Sequence, residues 1–332
     1  MIAVMVVVGG LTRLTDSGLS ITSWKPIHGA LPPLSVAEWE EEFDAYKQIP
    51  QYQKLNKGMT LEEFKTIFWW EWSHRNLGRL IGVAFLVPFL VFLALRRVER
   101  ALVPRLLVLF VLGGLQGALG WFMVASGLTE RVSVSQYRLV AHLTLALVIY
   151  AAIVWTALPL WRGTWPAARR EHALFPWSLA VVALVFVQIM LGGFVAGLDA
   201  GLTYNTWPLM DGRIVPEGAF GTWLAPFEDV GTAQFNHRVG AYVLTAAVFA
   251  LWLAGRKRSL SEFAQRSAAI LLAVVVAQGL LGIWTLLEVV PVWLGALHQA
   301  GAVALLTAAV VHAFALYAHG AGAQKAPAFT AA

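Results

Sequence analysis

Apolar runs recur along the chain, separated by short basic clusters and two longer polar segments. Runs at about 72–95, 106–128, 138–160, 174–198, 234–254, 267–287 and 292–317 each reach the roughly 20 residues that a bilayer-spanning helix needs. The opening run, Met1 to Leu11, is shorter than that. It is read as the end of a first span whose start lies upstream, which makes eight spans. Asp16, Ser17 and Gly18 follow it as a turn signal. The polar segment from about 15 to 70 is rich in Trp, Glu and Lys. Within it Ser35 to Lys47 predicts a surface helix, with Ser35 as N-cap and Glu38 at the third helical position. The second polar segment, 199–231, is acidic.

The apolar pattern repeats, and so do particular residues. Gly9, Gly10, Asp16, Gly18, Leu19 and Trp24 match Gly192, Gly193, Asp199, Gly201, Leu202 and Trp207 at a constant offset of 183. His74-Arg75 matches His237-Arg238 at 163, Gln116-Gly117-x-Leu119-Gly120 matches Gln278-Gly279-x-Leu281-Gly282 at 162, and His142 matches His298 at 156. Order is kept and the offset drifts only with loop length. One four-helix unit used twice explains this, with residues 1–165 as the first copy and 166–332 as the second. Four spans is an even number, so the copies insert the same way round, as parallel repeats. The predicted fold is an all-α integral membrane protein of eight transmembrane helices in two pseudo-twofold-related four-helix bundles.

Composition sharpens the class. Hydrophobic residues make up 58% of the 332 residues and charged residues 13%, too little polar surface for a soluble domain of this length. Cysteine is absent, which excludes disulfides and thiolate metal sites. A net charge of +5 points to neither nucleic acid nor an acidic substrate. The charge reads as topology instead. Loops after spans two, four and six are basic, through Arg97, Arg169 and Lys257 among others, and those after spans one and five are acidic or mixed. The positive-inside rule puts the basic loops and both termini on the cytoplasmic or matrix side. The first residues lack the charged start and small-residue cleavage site of a signal peptide.

Candidate chemistry sits at the mouths of two spans. Glu71-Trp72-Ser73-His74-Arg75 leads into one apolar run, and Gln234-Phe235-Asn236-His237-Arg238 into another. Three residues apart on a helix share a face, so Glu71 and His74 are expected to point the same way. Ionisable groups at the edge of a membrane are costly and read as functional. His142 and His298 open the fourth helix of each copy, so all four histidines fall at a similar depth, on the outer side. Two histidines facing each other inside a four-helix bundle suit bis-imidazole ligation of a haem. Gly113, Gly114, Gly117, Gly120, Gly279 and Gly282 would let a flat macrocycle approach the helix backbone. Arg75 and Arg238 are placed to pair with haem propionates. The competing reading is four packed histidines bonded between helices, and the repetition of both positions weighs against it. A zinc site lacks cysteines and a second carboxylate. His312 lies about 21 Å along its helix from His298 and reads as packing, as do the loop or tail residues His28, His172 and His319. Gln116 and Gln278 read as helix-to-helix bonds, Trp24 and Trp207 as capping residues over the sites, and Asp16 and Asp199 as turn caps.

These residues resemble the haem A synthase family. The likeness is carried by the stretch Gly9-Gly10-Leu11-Thr12-Arg13-Leu14-Thr15-Asp16-Ser17-Gly18-Leu19-Ser20, by Glu71-x-x-His74-Arg75, His142, Asn236-His237-Arg238 and His298. The resemblance implies oxidation of a haem O methyl group to the formyl group of haem A by successive hydroxylations, for use in terminal oxidases. It implies a permanent haem b on His237 and His298, a substrate site on His74 and His142, and Glu71 as a residue required for oxidation. Haem O and membrane lipid would be its partners, with haem O synthase, an electron donor and a homo-oligomer as further ones. The location implied is a bacterial inner membrane or the mitochondrial inner membrane. Members with cysteine pairs in the outer loops exist; this chain is similar to the mitochondrial and proteobacterial branch that has none. Two alternatives stay open on the residues alone. A bis-His dihaem b-type electron-transfer cytochrome would have equivalent sites. A transporter with parallel repeats would show helix breaks or buried charges in mid-membrane.

Overall fold

The structure, a computed structural model, describes residues 1–24, 28–162 and 172–318. The expected boundary at 165/166, the topology marker Arg169 and the tail residue His319 lie outside the described residues. Among those residues every regular element is helical, apart from one isolated bridge between Met210 and Arg213. In chain order the helices are α1 (Ile2–Leu14), α2 (Val36–Lys47), α3 (Pro50–Lys54), α4 (Leu61–Ala94), α5 (Val103–Ala125), α6 (Gln136–Trp161), α7 (Phe175–Gly197), α8 (Ala225–Glu228), α9 (Val230–Arg256), α10 (Glu262–Leu287) and α11 (Val292–Tyr317). Seven of them, α4 to α7 and α9 to α11, are long and apolar enough to cross a membrane. α1, at 13 residues, is a shorter apolar helix. The chain is an all-helical, multi-pass membrane protein.

Two compact units divide the chain, Met1–Ile149 with Pro291–Gln299, and the remainder. In the first, α1 packs on α4. α1 stops at Asp16, whose left-handed backbone (φ 51°) lets the Asp16 N–H reach the Arg13 carbonyl at 3.2 Å and the Ser17 N–H reach that of Thr12 at 2.9 Å. This closes the helix end in the way a glycine usually does. Asp is among the few other residues that visit this conformation readily.

The described residues of the polar segment 15–70 fold into a cap. Ser35 accepts from the Glu38 N–H at 3.3 Å, so α2 begins where its capping pattern predicts. α4 begins at Leu61, well before the expected position 72, because Thr60 and Glu63 cap each other's backbone in a capping box. At about 1.5 Å per residue the 34-residue helix is roughly 51 Å long, far more than a bilayer core requires. Its first turns carry Phe64 and Phe68, four apart and buried. Phe64 stacks on Phe43 of α2 at 4.9 Å, and Trp39 meets Phe68 edge-on at 4.8 Å. Tyr46 is fully buried beside them. Its hydroxyl donates to Gln51 Oε1 at 3.0 Å and accepts from Asn56 Nδ2 at 2.7 Å. Burial pushes the Tyr46 phenol above its ordinary range.

In the second unit α9 packs on α7 and on α10, around Val181, Val185, Leu244, Val248, Leu271 and Val275. Asp229 starts α9 by accepting from the Thr232 N–H at 2.7 Å. His312 of α11 is buried at 2% exposure, with Nδ1 3.0 Å from the Ser267 hydroxyl of α10. That is the packing role its position predicts. Asp199 ends α7 with φ 53°, the counterpart of Asp16.

Candidate metal centre

Each candidate ligand that can be followed within one unit is seated against a glycine. A Cβ built on Gly9 of α1 would lie 2.8 Å from Cε1 of His74, 3.4 Å from Nδ1 and 3.6 Å from Nε2. For Gly120 and His142 the same three distances are 2.9, 3.5 and 3.6 Å, and for Gly192 and His237 they are 3.0, 3.5 and 3.7 Å. The three rings therefore meet their glycines edge-on in one geometry. Gly9 and Gly192 are equivalent in the repeat, as are His74 and His237. The space at Gly120, expected to admit a macrocycle, is filled by the His142 ring. At Gly113, Gly114, Gly117 and Gly279 an added Cβ would meet nothing within 4 Å. The His142 ring lies close enough to His74 for its charge to act there.

The seats match, but the partners of Nδ1 do not. Gln116 of α5 brings Nε2 to 3.1 Å from His142 Nδ1 and donates to the His142 carbonyl at 3.0 Å. Gln188 of α7 does the same for His237, at 3.0 and 2.9 Å. A primary amide can turn either end to an imidazole nitrogen. Its bond to the histidine's own carbonyl keeps the N–H end in place, so Nδ1 of His142 and of His237 faces a donor. Sequence reasoning read Gln116 only as a helix-to-helix bond and missed Gln188. The available signal was that Gln188 is the one amide in the otherwise apolar α7. His74 has no such partner, and its Nδ1 is sealed from solvent without a hydrogen bond.

Helix spacing had set Glu71 beside His74, but its hydrogen bonds run elsewhere. Glu71 is 2% exposed. Its Oε2 accepts from the Ser20 hydroxyl at 2.8 Å and the Ile21 N–H at 2.7 Å, and Oε1 pairs with Arg75 Nη2 at 2.6 Å. Arg75 also donates to the carbonyls of Ile21 at 2.7 Å and Ser23 at 3.1 Å. In the other half Arg238 donates to the carbonyls of Tyr204 at 2.7 Å and Thr206 at 3.0 Å, which stand 183 positions after Ile21 and Ser23. It also donates to Gln234 Oε1 at 2.8 Å. The arginines thus repeat their contacts and pin the two loops. The residue at 71 or 234 does not repeat its contacts. Gln234 Nε2 donates to the carbonyls of Ala200, at 2.7 Å, and Thr203, whereas Glu71 accepts. Trp207 gives its indole N–H to the Tyr242 hydroxyl at 3.1 Å, and Trp24 is about half exposed.

Among the described residues no group of three or more His, Asp or Glu side chains could hold a bare metal ion. Two imidazoles suit a metal that arrives with its remaining ligands, as iron does in a porphyrin. The buried imidazoles, their glycine seats and the open glycines fit such a group.

Fold and site together define a polytopic helical membrane protein with buried, glycine-seated imidazoles. The chain belongs to the cytochrome oxidase assembly protein family, whose model matches residues 1–310. It is 58% identical over 315 residues to the heme A synthase of Parvibaculum lavamentivorans, covering 94% of this chain and 90% of that one. It is 55% identical over 321 residues to the heme A synthase of Azorhizobium caulinodans, and 53% over 313 residues to that of Caulobacter sp. K31. Those matches cover 94% and 93% of this chain, and 90% and 91% of the relatives. No solved structure matches the chain.

Proposed function

We propose that this chain is a haem A synthase, an oxidoreductase of the bacterial inner membrane that converts haem O to haem A. One observation carries the reading beyond the likeness to its relatives. The two halves repeat their histidines, glycine seats and arginine contacts, yet a buried carboxylate stands at 71 where an amide stands at 234. An inert haem site has no use for that carboxylate, and burying it has a cost. A site that oxidises a methyl group releases protons and builds positive charge, and a carboxylate serves both needs.

In this reading residues 1–165 hold the substrate site and residues 166–332 the haem b site. His74 and His142 hold haem O. Haem b, on His237 and His298, would supply one-electron transfer. The assignment of His237 and His298 rests on their equivalence to the first pair in the repeat. Two successive hydroxylations, each using one dioxygen with two electrons from the donor and two protons and releasing one oxygen as water, turn the methyl into a hydroxymethyl and then a geminal diol, which loses water to leave the formyl group. Glu71, held by Ser20, Ile21 and Arg75, is the group that takes up a proton. Arg75 and Arg238 fix the loops over the two sites and present guanidinium charge to the propionates. An enzyme that makes haem O and an electron donor complete the sequence, with self-association as a further partner contact.

The test is chromatography of haems extracted from cells that make haem O. Glu71→Gln should abolish haem A, leave haem b bound and let haem O accumulate, with a hydroxylated form beside it. Gln234→Glu should leave haem A formation in place. Normal haem A from Glu71→Gln would return Glu71 to the loop-holding role its hydrogen bonds already describe. Haem b as the sole pigment of the wild type would favour the dihaem cytochrome, and no haem would favour the transporter.

A further inference from the structure

Both halves keep one open glycine at the same repeat position, and the first half adds two more. Gly117 of α5 and its counterpart Gly279 of α10 each leave space where an added Cβ would meet nothing within 4 Å. One turn further into the membrane the halves differ. Gly113 and Gly114 are open in the same sense. Their counterparts, 162 positions on, are Val275 and Val276. Val275 is 3% exposed, in the core where α9 packs on α10. Glycine weakens the middle of a helix, so two extra glycines in α5 call for a reason.

The neighbours of α5 show which way these positions face. Phe110 stacks on Phe85 of α4, with ring centroids 6.3 Å apart and planes 15° apart. Gln116 and Gly120 lie against His142 of α6. At about 100° per residue Gly113 and Gly117 fall between those two directions, facing the space between α4 and α6. Gly114 falls on the far side of Phe110 from α6, next to Val111, which is exposed. The seam between α4 and α5 is therefore thin toward lipid at that level. Consecutive spans run in opposite directions, so the Phe85–Phe110 level sets the alignment of the two helices. Counted outward from it, His74 stands across from Trp121, one residue from the Gly120 seat of His142. Two separate contacts thus give the same alignment. A cleft runs inward from the two histidines and ends on the phenylalanine pair, roughly 16 Å away by helix rise. Its head is marked by more than glycine, because Nδ1 of His74 is sealed from solvent there without a hydrogen bond.

Haem O and haem b share a macrocycle and its two propionates. They differ at one pyrrole, on the side away from the propionates, where haem O carries a long isoprenoid chain. With the propionates drawn to the arginines on the outer side, that chain is directed inward. We infer that the cleft below His74 and His142 seats the isoprenoid tail of the substrate haem, and that Gly113 selects a tailed haem over haem b. The inference rests on the reading of the N-terminal pair as the haem O site. The glycine common to both halves serves the macrocycle that both haems share. The additional glycines serve the part that only the substrate has, with Gly114 leaving the tail a way in from lipid. Val275 fills the same place in the C-terminal half, which suits a site that keeps a haem without a tail.

The test uses full-length protein purified from cells that make haem b but not haem O. It is titrated with haem O, and in parallel with haem b, while Soret absorption is followed. The spectrum of the resident haem b checks that each variant is folded. Wild type should take up haem O more tightly than added haem b. Gly113→Val, which installs the residue of the other half, should weaken haem O uptake about 10-fold and leave uptake of added haem b unchanged. Gly117→Val, at the level of the macrocycle, should weaken both. Gly113→Ala should weaken haem O uptake to a smaller extent, and it carries the test if valine disturbs the fold. Equal weakening of both haems by the Gly113 variants, or no weakening of haem O, would overturn the inference and leave the functional reading in place. A wild type that takes up no haem O would overturn the functional reading and this inference with it.

Discussion

At the scale of single residues, glycine and hydrogen-bond polarity decide how each site is built. Gly9 and Gly120 leave room for an imidazole edge at distances that no Cβ tolerates. Gly9→Ala or Gly120→Ala should push the ring off its position by a few tenths of an ångström. Either change should lower the haem content of the N-terminal site about 10-fold, measured as haem per protein. Gly82→Ala, where an added Cβ meets nothing within 4 Å, is the matched control and should leave haem content unchanged. The exchange of Glu71 for Gln234 works by polarity. The loop after α1 turns a hydroxyl and an N–H toward Glu71, and the loop after α7 turns two carbonyls toward Gln234. An amide at 71 would set donors against donors and leave Arg75 without its buried counter-charge, a change that costs about 3–5 kcal/mol in buried pairs. Haem b retention in Glu71→Gln is therefore part of its test, since it separates lost chemistry from lost structure. The exchange itself is visible in the sequence once the halves are aligned. The answering polarity of the loops is not, because backbone groups at positions 20–23 and 200–206 carry no sequence signature of which way they face.

At the scale of elements, α4 joins the membrane to the cap. Its apolar run is legible by hydropathy, yet the helix continues upstream through Leu61 because Thr60 and Glu63 cap it and aromatic side chains cover one face. Hydropathy cannot see that extension, since its outer face carries Glu62, Glu63 and Lys65. The capping pair was available in the sequence as Thr-x-x-Glu. The cap positions Ser20 and Ile21, which hold Glu71, so its stability bears on the site. Phe64→Ala removes a fully buried ring and should cost about 3–5 kcal/mol. The expected outcome is a lowered Tm with early proteolytic cleavage between residues 30 and 60. Thr60→Ala should cost about 1 kcal/mol, so the ordering of the two variants checks that the aromatic cluster dominates the cap. An equal Tm for Phe64→Ala and wild type would show that the cap does not depend on that cluster.

At the scale of the whole molecule, orientation follows from where the basic residues lie. Arg97 and Lys257 fall in loops that the positive-inside rule assigns to the cytoplasm, and the same rule assigns the segments of Glu41 and Glu217 to the outer side. The natural chain has no cysteine, so single cysteines at these four positions can be labelled one at a time with a membrane-impermeant reagent. Positions 41 and 217 should label from outside, and 97 and 257 only after the membrane is opened. Labelling of position 257 from outside would reverse the orientation and put the histidine sites on the inner face.

The sequence by itself determined the membrane class, the long apolar helices, the order of the repeat and which four histidines recur in it. Hydropathy is a sum over neighbours in the chain, and a repeat is a correspondence of positions, so neither needs the fold to be read. Only the tertiary structure decided what each of those residues touches. His142 meets Gln116 across 26 residues, His237 meets Gln188 across 49, and Glu71 meets Ser20 across 51. Such contacts are set by which helix faces come together and by how loops are turned, quantities that spacing along one helix does not contain. That is why Glu71 lies with the loop after α1, and why one buried imidazole nitrogen in the first half lacks the amide its equivalent has in the second.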